Sequence, residues 1–135
     1  MHGAQSEVIQ QHARLQDDAS KLFRALDEEN AGAASIAFGR LIDDIEAHLR
    51  IDLAVGYRLL MRHPSEAVRR VAERVLIEQQ RFPEAFEALV QRWGEADSAL
   101  LLTQAFRDEL ETLVSDLLKR IRVEQRLLAA LSSVA

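Results

Sequence analysis

Apolar residues recur at steps of three and four along four stretches of this chain, the spacing that places side chains on one face of an α-helix. Val8, His12, Leu15, Ala19, Leu22 and Leu26 share a face of a first helix expected over residues 6–28. The string EENAGAAS then supplies Asn and Gly for a tight turn. A second helix is expected to run on to about Arg62, with Phe38, Leu41, Ile45, His48, Asp52, Val55 and Leu59 along its inner stripe. Pro64 stops it, because the residue before a proline avoids the helical region, and Pro64 or Ser65 opens the next.

The third helix carries Val68, Val71, Val75, Glu78, Phe82, Ala85 and Leu89 and ends near Trp93 and Gly94. Pro83 lies inside it. Having no N–H, Pro83 leaves the carbonyl of Gln79 without a helical partner, so a kink is expected just after Glu78. Phe106, Leu110, Leu113, Leu117, Arg120, Glu124, Leu127 and Leu131 form the stripe of a fourth helix. The pattern predicts an all-α protein, an antiparallel up-down four-helix bundle formed by one domain over residues 1–135.

Each stripe is interrupted by polar residues: His12, then His48 with Asp52, then Glu78, then Arg120 with Glu124. Helices joined by short turns run antiparallel, so equal counts from a turn mean equal height. His12 precedes the first turn by as many residues as His48 follows it, and His48 with Asp52 is matched across the second turn by Glu78. Arg120 and Glu124 reach the same layer if GEADSALLL is a longer connection with its own short helical turn and the packed part of the fourth helix begins near Thr103.

Composition narrows the possibilities. A net charge of −5 argues against nucleic acid as the main partner, although Arg69, Arg70 and Arg74 make a small basic patch, read here as a solvated helix face. The chain has no Cys, so thiolate ligation and disulfides play no part. MHGAQSEV has no apolar core of the kind a secretion signal needs, and no apolar run is long enough to cross a bilayer. A soluble, cytoplasmic protein with no membrane partner is expected. No nucleophile–base pairing and no glycine-rich phosphate loop is visible, which favours a binding protein over an enzyme.

Ionisable groups in an apolar core are costly unless paired or coordinated, and imidazoles converging with carboxylates on one layer suit a divalent ion. Nitrogen with oxygen donors fits iron, manganese or zinc. His48 and Asp52, one turn apart, can reach the same ion or ion pair.

QQHARLQDDASKLFRAL, with its single His, and AHLRIDLAVGY, with His and a carboxylate one turn on, resemble the first and second helices of the hemerythrin-like (HHE cation-binding) domains. The resemblance spans nearly the whole chain. It implies an antiparallel four-helix bundle around a non-heme di-iron centre that binds or senses oxygen, nitric oxide or iron. Three positions depart from the family pattern: Asp52 stands where Glu is usual, Glu78 or Gln79 where the third helix has His, and Arg120 where the fourth has His. The ligand set carried over is His12, His48, Asp52, Glu78 and Glu124. In it the histidines serve as terminal nitrogen ligands, Asp52 and Glu124 as bridging carboxylates, and Glu78 as a terminal oxygen ligand.

The expectation is a bundle that binds one or two ions, iron before manganese or zinc, and acts as a sensor, store or scavenger. The alternative is a metal-free bundle in which Arg120 pairs with the acids of the layer. In that case function lies on the outside, as a homodimer or protein-partner contact through exposed Trp93, Leu100 and Leu101.

Overall fold

The computed structural model describes residues 2–50 and 58–134, with side chains described over 8–127 and at residue 129 except for 51–57 and Glu78. All regular structure among the described residues is helical. The helices are α1 (His2–Asp27), α2 (Ala31–Leu49), α3 (Glu66–Gln79), α4 (Arg81–Trp93) and α5 (Gln104–Val134), with a 3-10 turn at Ser98–Leu102. Residues 58–60 add a further helical turn before Pro64.

The first turn is built differently from expectation. Gly32 lies within α2, and the reversal falls on residues 28–30. Asn30 N–H donates to the Ala25 carbonyl (2.9 Å) and Glu29 N–H to that of Leu26 (3.1 Å), the paired bonds that close a helix when the residue after its cap turns left-handed. That residue is Glu29, at φ 54°. Asn30 then caps α2, its side-chain oxygen accepting from Ala33 N–H at 3.0 Å. The turn brings α1 and α2 face to face, and Val8, Leu15, Ala19, Leu22 and Leu26 are all buried, as are Phe38, Leu41 and Ile45.

The stripe continues less regularly beyond α2. Asp52 and Val55 lie outside the described residues. Leu59 is exposed and Leu60 takes the inner place. On α3 and α4, Val71 and Ala85 face outward while Ala72 and Phe86 are buried, and Phe82 and Leu89 keep their expected inward places. A break at Gln80 divides the expected third helix in two near the kink predicted from Pro83. Pro83 thereby falls in the first turn of α4, where a missing N–H costs nothing.

The connection after Trp93 follows expectation. The 3-10 turn occupies Ser98–Leu102, and Thr103 precedes α5, its hydroxyl accepting from Phe106 N–H at 3.4 Å. Leu101, expected at the surface, is instead among the most buried residues and joins the core with α2 and α5. Trp93 is half-buried, its ring meeting Phe106 edge-on at 5.3 Å and its N–H donating to Glu109. Only Leu100 of the three stands exposed.

Contacts along α5 set the heights of the other helices. Near its start, Phe106 packs against Phe38 (5.0 Å between rings) and Arg107 pairs with Asp27 at 2.8 Å. Near residues 120–127, α5 reaches His12, His48 and Gln79. Leu15, Leu22, Leu41, Ile45, Leu110, Leu117 and Ile121 fill the space between.

One acid is buried in the α1–α2 contact. Asp18 lies three residues after Leu15 and four before Leu22, on the inward face, close to the Asp44 carboxyl of α2. Burial first, then the Asp44 carboxyl, raise its pKa to about 7, with Lys21 acting the other way. A folded pKa above the unfolded value of 3.8 means that this pair costs nothing at low pH and destabilises the fold as pH rises through about 7.

Asp18→Asn should therefore stabilise the protein at pH 8, by roughly 1–3 kcal/mol, and change little at pH 4, as read by thermal melts at the two pH values. An equal gain at both would locate the effect outside the carboxyl pair. Glu29→Gly, which relieves a left-handed residue, should raise stability by about 1 kcal/mol in urea unfolding. No gain there would mean that the turn carries no strain at Glu29.

Candidate metal centre

Three polar side chains meet in the apolar interior where α1, α2 and α5 come together. His12 follows Val8 by one turn on α1, and His48 follows Ile45 by one turn on α2. Glu124 lies between Ile121 and Leu127 on α5. Helical spacing thus directs all three inward along with their apolar neighbours. His12 and His48 are each 2% exposed and Glu124 is fully buried.

The carboxylate of Glu124 is the hub. Its Oε1 is 3.0 Å from His12 Nε2 and 2.7 Å from His48 Nε2, and its Oε2 is 3.1 Å from His48 Nε2. The imidazoles lie edge to face, with centroids 5.1 Å apart at 65°. Burial alone would push the Glu124 carboxyl up. Hydrogen bonds from His12 and His48, with the charges of His48 and Arg120, outweigh it and bring the pKa down to about 2.

A second layer of contacts orients the first. Gln11 is itself buried, and its side-chain oxygen lies 2.8 Å from His48 Nδ1, where it accepts that nitrogen's proton. In neutral His48 the lone pair is then at Nε2, aimed at a carboxylate. Two acceptors face one another, an arrangement that needs a cation between them, either a proton on the imidazole or a metal ion. Among the described residues His12 Nδ1 is buried without a hydrogen-bond partner.

Arg120 closes the layer from the side of α3 and α4. Ile121 takes the core position, while the Arg120 guanidinium, 14% exposed, places Nε 3.4 Å from Glu124 Oε2. Its Nη1 donates to the Gln79 carbonyl at 3.0 Å, and Cζ lies 5.3 Å from the centre of the Phe82 ring. The carbonyl that Pro83 deprives of a helical donor is thus satisfied by an arginine from another helix.

Of the five residues named from sequence, the structure brings His12, His48 and Glu124 together, with ligand atoms within 4.8 Å of one another. Asp52 lies outside the described residues, and of Glu78 only the backbone is described, at the end of α3 beside Gln79. Gln11 escaped sequence reasoning although its position, three after Val8 and four before Leu15, is an inward one. His63 sits apart, its Nδ1 accepting from Ser65 N–H at 3.0 Å.

Two imidazole nitrogens and a carboxylate are donors of the kind that a divalent transition ion takes. Neighbouring ligands about 2.1 Å from a metal lie roughly 3.0–3.4 Å apart. The separations of 2.7 to 3.1 Å would have to open by only a few tenths of an ångström. Comparison with protein-family models, with curated proteins and with solved structures gives no match to this chain.

The depressed pKa of Glu124 fixes a sign. A folded value of about 2 against 4.5 unfolded means that its contribution is present above about pH 5 and is lost as pH falls toward 2. Metal-free wild type should lose on the order of 3 kcal/mol more than Glu124→Gln over that range, measured by chemical unfolding at successive pH values. Parallel pH curves for the two proteins would show that the carboxylate is not the acid-sensitive group.

Proposed function

We propose that this chain is a hemerythrin-like antiparallel four-helix bundle that binds a divalent transition ion, iron before manganese or zinc, as a sensor, store or scavenger. The observation that carries the reading is the convergence of two Nε2 atoms on one buried carboxylate, with Gln11 holding His48 Nδ1. Two imidazoles and a carboxylate are a donor set that suits ferrous iron. His12 and His48 supply nitrogen and Glu124 oxygen, while Asp52 and Glu78 are the residues proposed to complete the site for one or two ions. The bound ion would supply a Lewis-acidic centre to which a small ligand can attach. The protein's own part is to hold the donors, exclude bulk water and neutralise charge. The up-down arrangement is supported by the contact of α5 with Phe38 and Asp27 at one height and with His12 and His48 at another.

A second reading has its own observation. Arg120 within 3.4 Å of Glu124, together with a protonated imidazole, can balance the carboxylate without a metal. Function would then reside on the surface, in a protein-interaction module.

The two are separated by metal content after anaerobic loading with ferrous ion and removal of the excess. The metal reading expects one to two equivalents in the wild type, retained through gel filtration, and a loss of at least most of it in His48→Ala. Wild-type stoichiometry in His48→Ala would overturn the assignment, and no metal in the wild type would leave the ion network as the function of the layer.

A further inference from the structure

Arg120 is flanked on its own helix by two acids at helical neighbour spacing, Asp116 four residues before and Glu124 four residues after. The two differ in surroundings. Glu124 is fully buried among the histidines, whereas Asp116 is exposed. Asp116 and Arg120 line the same outer groove, a cleft of about 340 Å³ between α5 and the α3–α4 break that Gln79, Phe82 and Lys119 also border. Among the described residues lining it, Asp116 is the acid. The guanidinium stands at the inner wall, between this groove and the buried layer.

We infer that Arg120 is a movable counter-ion, paired with Glu124 when the site is empty of metal and displaced outward to Asp116 when a divalent ion enters. The inference rests on the metal-binding reading above. An ion held by His12, His48 and Glu124 takes up the carboxylate's charge and repels a guanidinium a few ångströms away, so the two cations compete for one partner. The Nε contact at 3.4 Å is longer than either histidine's contact with Glu124, and moving the guanidinium outward also exchanges its bond to the Gln79 carbonyl. The stem of Arg120 is long enough to swing the guanidinium along the groove, where Asp116 receives it at the favourable helical spacing. Lys119 and Arg81 border the same groove and compete for that acid, which keeps the outward position a weaker one in the metal-free protein.

Metal affinity is then set by an exchange of cations, with two consequences of opposite sign. Removing Arg120 relieves the competition, and removing Asp116 takes away the place to which Arg120 retreats. Ferrous-ion titration by anaerobic calorimetry should show Arg120→Gln binding roughly tenfold more tightly than wild type and Asp116→Asn roughly threefold more weakly, within the range of ordinary site coupling. In the double variant the Asp116→Asn effect should vanish, because its only route is through Arg120. Asp116 is exposed, so Asp116→Asn should melt like the wild type when metal-free, which guards against a folding artefact.

Unchanged affinity in both single variants, or an Asp116→Asn effect that persists without Arg120, would overturn the exchange while leaving the metal site standing. Uptake by Arg120→Gln alone would support Arg120 as the competing cation and count against metal binding by the natural protein. No uptake by any of the four proteins would overturn both readings.

Discussion

A carboxylate with no access to water governs this molecule. Glu124 is ionised at neutral pH inside an apolar interior, and such a group is tolerated only with cationic or hydrogen-bonding partners close by. Those partners come from α1, α2 and, four residues away, from α5 itself: His12, His48 and Arg120. Because each partner is anchored between apolar neighbours, satisfying Glu124 fixes the heights of α1, α2 and α5 relative to one another. The polar layer thus specifies register, while the aliphatic layers between it and Phe106 supply the driving force for burial.

The break at Gln80 belongs to the same constraint. A continuous third helix would have to leave the Gln79 carbonyl unpaired opposite Pro83. Dividing the helix frees that carbonyl to accept from Arg120, whose guanidinium also reaches Glu124 and covers Phe82. One arginine therefore joins a backbone irregularity to the buried acid.

A second buried acid has the opposite character. Asp18 meets another carboxyl in place of a base, so its pKa rises to about 7 where that of Glu124 falls to about 2. Near neutral pH the α1–α2 contact carries an unfavourable pair and the α5 contact a favourable one. The hairpin of α1 and α2 contains Gln11, His12 and His48, so the cost at Asp18 falls on the part of the fold that presents the nitrogen donors.

The helical class, the positions of the stripes on α1, α2 and α5, and the connection at 94–103 follow from local chemistry legible in the chain: periodicity, with Pro64 and Gly94 as stops. So does the meeting of His12 and His48, since counting from a short turn measures height, while Glu124 joins them through the longer connection expected from GEADSALLL. The inward places of Leu60, Ala72 and Leu101, and the outward ones of Leu59 and Val71, were not legible, because adjacent apolar residues compete for the inner face and the neighbouring helices decide between them. Nor was the role of Gln11, or the direction in which Arg120 points. Periodicity assigns a residue to a face, but which partner it finds there depends on atoms contributed by other helices. Tertiary packing alone turned a row of inward polar residues into a carboxylate held by two imidazoles and a guanidinium.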